Sequence, residues 1–224
     1  MITIEELARS IEYTLLKPTV TKEMIELLCE EAKQYQFASV AVNPFWVSLC
    51  SKKLEGSEVA VCTGIGFPLG ANTTEIKVEE AKRAVMQGAK EVDVVINIGK
   101  AKEGDWSAVR EDIAAVVAAV KPAAVVKIIL EACYLTDDEK IMASKAALES
   151  GADYVKTSTG FGSGGATIDD IRLMKSVVGN RMKIKAAGGI RRLDDAMAFL
   201  EAGADRIGTS NGVSIVNEFK RRFK

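Results

Sequence analysis

Three stretches of the chain repeat one order of apolar and polar positions. A helical run ends at a glycine-alanine pair, Gly88-Ala89, Gly151-Ala152 or Gly203-Ala204, and a strand-like run follows: EVDVVIN, DYVKTS or DRIGTS. Glycine suits the left-handed residue that closes a helix, and a β-branched run after it suits a strand buried on both faces. Further strand-like runs cover Ile11 to Leu16, Ser39 to Val42, Val59 to Ile65, Val125 to Glu131 and Lys183 to Ala187, which makes eight. Between them lie apolar residues at helical spacing, as in Val109, Ile113, Val116, Val117 and Val120. Thr3-x-x-Glu6 and Thr136-x-x-Glu139 are capping-box patterns that mark helix starts, the first of them for a short helix ahead of the first strand. Eight strand-helix alternations in 224 residues predict an α/β fold, a single (β/α)8 TIM barrel spanning 1–224 as one catalytic domain. A doubly wound open sheet is the competing architecture, but no GxGxxG follows the first strand.

The repeat also predicts facing. Asp93, Lys156 and Gly208 each stand five residues after their glycine, at equivalent positions on the fourth, sixth and eighth strands. Alternate barrel strands feed one interior layer, so Asp93 and Lys156 should point inward at one height, with Gly208 leaving room. Parity sends Val92, Val94 and Ile96 outward against helices. On the seventh strand Lys183 and Lys185 share a face, and Lys185 lies nearer the C-terminal end. The fifth strand directs Lys127, Ile129 and Glu131 together; Lys127, early in its strand, reads as an interior salt bridge and Glu131 as closer to the mouth.

Two lysines buried side by side suggest chemistry. Burial disfavours the ammonium form and a second positive charge disfavours it further, so an amine with an ordinary pKa of about 10.4 moves towards neutrality. A neutral lysine can condense with a carbonyl. The plainer alternative is a structural ion pair between Lys156 and Asp93. Glycine-rich turns follow the sixth, seventh and eighth strands, and Thr159, Gly160, Gly188, Gly189, Gly208, Ser210 and Asn211 are candidates to bind phosphate there. Free backbone N–H groups and a helix dipole favour an anion at this end of a barrel, although tight turns alone would also need the glycines. Arg191 and Arg192 are candidates to add charge. Phe45-Trp46 suits helix packing better than a pocket wall, and Trp106 takes no functional role.

Composition narrows the reading. The chain has no histidine, which excludes Ser-His-Asp and Cys-His catalysis and removes the usual catalytic zinc ligand. Thirty basic residues against 31 acidic leave a net charge of −1, with no electrostatic reason to expect nucleic acid or an anionic membrane. The longest apolar stretch, Ile113 to Val120, is far short of the ~18 residues that suggest a membrane span. No signal-peptide pattern opens the chain, so a cytoplasmic protein is expected. Cys29, Cys50, Cys62 and Cys133 lack CxxC spacing and are expected as buried, reduced thiols.

IEYTLLKP, AVNPFWV, CTGIGFPLG, EVDVVINIG, KIILEACYLTDDE, VKTSTGF, KAAGGIR and IGTSNGVSIV occur in this order along almost the whole chain. Together they resemble the deoxyribose-phosphate aldolase family. The resemblance implies a class I aldolase that reversibly cleaves 2-deoxy-D-ribose 5-phosphate into acetaldehyde and D-glyceraldehyde 3-phosphate, without metal or cofactor, as a homodimer or homotetramer. It implies that Lys156 forms the Schiff base, that Lys185 lowers its pKa and that Asp93 works with them in proton transfer; spacing alone leaves the two lysines interchangeable. The first strand departs from the family's usual IDHTLLKP at Glu12 and Tyr13, and Ala41 replaces a common cysteine. Glu12 and Thr14 are candidates for direct contact with the site. A sugar-phosphate isomerase or epimerase, and a non-catalytic phosphometabolite-binding barrel, are the other readings; neither requires two buried lysines.

Overall fold

In the computed structural model, which describes residues 2–223, eight parallel strands close on themselves. They are β1 Ile11–Leu15, β2 Ser39–Val42, β3 Ala60–Ile65, β4 Glu91–Val95, β5 Val125–Ile129, β6 Tyr154–Lys156, β7 Lys183–Ala187 and β8 Arg206–Thr209. Each pairs with the next in chain order, and β8 returns to β1 through Ile11–Ile207, Glu12–Gly208 and Tyr13–Thr209. This closure removes the open-sheet alternative. The helices are α1 Ile4–Ser10, ahead of β1, then α2 Lys22–Tyr35, α3 Val47–Lys53, α4 Thr74–Met86, α5 Ile98–Lys102, α6 Trp106–Val120, α7 Asp137–Glu149, α8 Ile168–Val178, α9 Leu193–Glu201 and α10 Gly212–Arg222. No helix among the described residues is long and apolar enough to cross a membrane. Residues 1 and 224, the ends of the expected domain span, lie outside the described residues.

The repeated glycine-alanine pair has a definite job. Gly88, Gly151 and Gly203 adopt φ of 107°, 77° and 112°. The N–H of the following alanine then folds back over the helix end: Ala89 donates to Ala84, Ala152 to Ala147 and Ala204 to Phe199, at 3.0–3.2 Å. This is the six-to-one closure of a Schellman motif, open to a residue without a Cβ penalty at positive φ. In two of the repeats the next residue ties the new strand to the old one. Asp153 accepts from Val126 N–H at 2.8 Å, and Asp205 from Ile184 N–H at 2.9 Å. Both expected capping boxes form, Thr3 with Glu6 at the start of α1 and Thr136 with Glu139 at the start of α7.

Two interiors result. Val92, Val94 and Ile96 point outward and are fully buried with Val109, Ile113 and Val116 of α6 in the apolar layer between sheet and helices. The space inside the barrel is polar instead: Glu12, Asp93, Lys127, Lys156 and Lys185 are all buried there. β5 ends two residues before the expected Glu131, because Glu131 takes a left-handed φ of 53° and turns the chain into a 3-10 helix, Ala132–Tyr134. That turn corrects a further expectation. Cys133 is carried to the surface and is exposed, while Cys29, Cys50 and Cys62 are buried as expected. Of the Phe45-Trp46 pair, Trp46 packs on the core, but Phe45 is 84% exposed, with its ring edge-on to Trp46.

Candidate active site

Asp93, inward on β4, is where the site converges. One carboxylate oxygen, Oδ2, accepts from Lys156 Nζ at 2.7 Å and from Lys185 Nζ at 2.6 Å. The other, Oδ1, accepts from Lys127 Nζ at 3.0 Å and from the Cys62 thiol at 3.2 Å. The register sets Lys156 beside Lys185 on neighbouring strands, so the two amines come from adjacent inward positions. Gly208 leaves the expected room: a Cβ there would lie 3.1 Å from Lys185 Cε and 3.0 Å from Ala187 Cβ, tighter than ordinary contact. Lys183, by contrast, sits at the exposed start of β7 with its ammonium over the Tyr154 ring.

Below this layer lies a second polar layer. Lys127 is fully buried and touches Glu91 at 2.6 Å and Glu12 at 3.0 Å as well as Asp93. The interior salt bridge expected for it is present, and it belongs to the same network as the two other lysines. Glu12, Cys62 and Glu91 lie close enough together to hold a cation. The Lys127 ammonium is that cation, within 3.3 Å of all three. Glu12 pairs with Lys185 and accepts from Ser39 Oγ at 3.1 Å. It therefore acts from beneath Lys185 and does not line the cavity above; Thr14, two residues on, does line it.

The charges shift one another. Burial pushes the Asp93 carboxyl up, but the Lys127 and Lys156 ammonium groups outweigh burial and hold it well below the usual carboxylate range. Burial pulls Lys127 down, yet Asp93 foremost and the other acidic groups around it raise it above an ordinary lysine. Lys185 moves the other way. Burial, then the Arg206 guanidinium, hold its amine well below the ordinary value. The carboxylates that touch it, Asp93 and Glu12, are already engaged by Lys156 and Lys127 and so offset less of that cost.

Above the lysines a cavity of about 380 Å³ opens at the C-terminal end of the strands. Thr159, Gly160, Gly188, Gly189, Gly208, Ser210 and Asn211 all line it, together with Thr14, Lys156 and Lys185. Arg191 lines it too, whereas Arg192 stands at the N-cap of α9. Lys17, from the loop after β1, completes a wall that the pattern did not single out, because an exposed lysine after a strand has no distinguishing signal in the chain.

Buried side chains hold the rim. Glu131 accepts from both the N–H and the hydroxyl of Thr159, and Thr159 Oγ1 accepts from Phe161 N–H at 3.0 Å. Thr209 donates to the Ile190 carbonyl at 2.7 Å and accepts from Asn211 N–H at 2.9 Å, joining the loops after β7 and β8. α10 starts immediately after Asn211, so its N-terminus stands at the cavity. A helix N-terminus beside positive-φ glycines at 188 and 189 suits an anionic group.

An amine adds to a carbonyl only after losing its proton, and this floor holds the Lys185 amine well below the ordinary lysine value beside a second lysine that shares its carboxylate oxygen. On a barrel with an anion-receptive rim, that defines an enzyme of the lysine-imine class. The comparisons agree. The family described as DeoC/LacD family aldolase matches residues 10–218, and the chain belongs to that family. It is 57% identical over 213 residues to the deoxyribose-phosphate aldolase of Lysinibacillus sphaericus, covering 95% of this chain and 96% of the relative. To that of Carboxydothermus hydrogenoformans it is 56% identical over 219 residues, 96% of each chain. The deoxyribose phosphate aldolase structure from Aeropyrum pernix, described as tetrameric, superposes with a TM-score of 0.91 at 36% identity, over 97% of this chain and 92% of that one.

Proposed function

We propose that this single-domain barrel reversibly cleaves 2-deoxy-D-ribose 5-phosphate to acetaldehyde and D-glyceraldehyde 3-phosphate, the activity that its relatives' name describes, with Lys156 as the Schiff-base lysine. One observation carries the assignment of roles: Lys156 and Lys185 both donate to Asp93 Oδ2. The Lys185 amine, pulled well below the ordinary lysine value by burial and then by Arg206, stands on the same carboxylate oxygen as an acceptor for the proton that Lys156 must lose.

The freed Lys156 amine adds to the C1 aldehyde, and loss of water gives a protonated imine. The C2–C3 bond then breaks with its electron pair drawn into the imine, leaving an enamine on Lys156. The C3 hydroxyl gives up its proton, through a water to Asp93, and becomes the aldehyde of glyceraldehyde 3-phosphate. Protonation of the enamine at C2 and hydrolysis return the free lysine and acetaldehyde. The 5-phosphate is held by the turns at Thr159-Gly160, Gly188-Gly189 and Gly208 to Asn211, with Lys17 and Arg191 as added cations, so that the sugar chain reaches from rim to floor. A phosphorylated substrate and three buried thiols accord with work in the cytoplasm. A homodimer or homotetramer is the assembly we expect, given the tetramer of the Aeropyrum pernix aldolase.

Borohydride reduction in the presence of deoxyribose 5-phosphate, followed by peptide mass mapping, tests the assignment. The expected adduct is on Lys156. An adduct on Lys185 reverses the two roles, and turnover without any adduct removes the imine mechanism.

A further inference from the structure

Inside the barrel three carboxylates, Glu12, Glu91 and Asp93, face four basic groups, Lys127, Lys156, Lys185 and Arg206. With every group ionised the cluster carries one surplus positive charge in a space almost closed to water. Arginine does not lose its proton in a protein. Lys127 is held by all three carboxylates. The surplus can leave only as a proton from the Lys156–Lys185 pair, and the cluster is then neutral.

That tally gives a role to two residues at the far end of the barrel from the cavity. Arg206 starts β8, and the register pairs it with Lys185 on β7. Its guanidinium lies 3.4 Å from Glu91 Oε1 and 3.9 Å from Glu12 Oε2. Its other polar neighbours are Ser39 Oγ at 3.3 Å and the Tyr154 hydroxyl at 3.5 Å. Glu91 in turn touches Lys127, which touches Asp93, so floor and site form one unbroken chain of contacts. Neither Glu91 nor Arg206 lines the cavity. Every strand but β2 places a titratable group in this cluster, β3 through Cys62 and β6 through Lys156 and Tyr154.

We propose that Glu91 and Arg206 are remote positioning residues whose net charge determines how readily the Lys156–Lys185 pair gives up a proton, and hence the pH at which the site becomes active. This rests on the aldolase reading above. The two residues oppose each other. Removing the Glu91 charge raises the surplus and makes the lysine pair easier to deprotonate; removing the Arg206 charge abolishes the surplus and makes it harder.

The test is the pH profile of kcat/KM for deoxyribose 5-phosphate, whose acid limb reports the lysine pair of the free enzyme as a coupled unit. Glu91→Gln is expected to move that limb down, and Arg206→Met to move it up, each by about one pH unit for a unit charge at this range. Arg206→Lys keeps the charge and leaves the limb in place. The double variant Glu91→Gln/Arg206→Met restores the original surplus and brings the limb back towards that of the unmodified protein. Single variants that shift the limb in the same direction, or not at all, overturn the proposal, as does an Arg206→Lys limb displaced as far as that of Arg206→Met. If Arg206→Met does not fold by circular dichroism, Glu91→Gln and Arg206→Lys decide alone on the same criteria. Borohydride trapping on the unmodified protein separates the two readings: turnover with no lysine adduct sinks the imine mechanism, whereas an adduct with limbs that ignore the charge of Glu91 and Arg206 sinks only this inference.

Discussion

Asp93 serves three lysines with two oxygens, which makes it their shared counter-charge. Replacing it with asparagine keeps the shape and leaves three buried amines without their shared counter-charge. We expect kcat to fall by about 10²-fold or more, from loss of the proton-handling group. Breaking a buried pair by removing one partner costs about 3–5 kcal/mol, so chemical denaturation should register the same variant. The pH dependence has a definite sign. Lys185, held below the ordinary lysine value, is neutral above its lowered pKa and charged beneath it, so activity drops as pH falls through that value. Asp93 stays ionised throughout that window because its carboxyl is held lower still than an ordinary carboxylate. A rate that instead rises on acidification would contradict this. Asp93, Lys156 and Lys185 were legible in the chain because a repeat places the first two and strand parity the third. Glu131 was not, since its loop-pinning role depends on a left-handed backbone at a non-glycine residue, which has no reliable mark in sequence.

At the level of elements, the helix-glycine-strand unit is stabilised by backbone geometry as much as by side chains. Two of its glycines test this separately. Gly88 and Gly151 both have positive φ, but a Cβ on Gly88 would fall 2.1 Å from Ser51 Oγ, whereas on Gly151 it would meet only Val117 Cγ1 at 3.9 Å. Gly151→Ala should therefore cost only the backbone strain, about 1 kcal/mol. Gly88→Ala should cost more, about 2–4 kcal/mol, as strain and overlap combine. Urea denaturation of the two variants measures the difference, and equal losses would refute the steric part. Element order, strand parity and both capping boxes followed from periodicity. Strand ends did not, as β5 shows: its last residues continue the apolar pattern, but the chain turns where Glu131 finds Thr159.

Across the whole molecule the barrel separates two tasks along its axis. The rim, with Lys17, Arg191 and the glycine turns, faces one end of the cavity, and the amines face the other. On the phosphate reading, Lys17→Ala and Arg191→Ala should each raise KM for deoxyribose 5-phosphate about tenfold, the worth of a charge-assisted contact, and leave unphosphorylated deoxyribose unaffected. Equal losses with both sugars would move these residues out of the phosphate end. The chain by itself determined the eight-fold alternation, the inward position of the key charges and the glycine turns, because each rests on local periodicity or on one residue's backbone freedom. Tertiary structure alone decided that the Lys185 amine is held below the ordinary lysine value, that Lys127 joins the same buried charge network, and that Glu91 and Arg206 extend it. Those outcomes depend on summed distances among seven charged groups brought together by barrel closure, and Coulomb energies in a low-dielectric space are set by geometry that no one-dimensional spacing records.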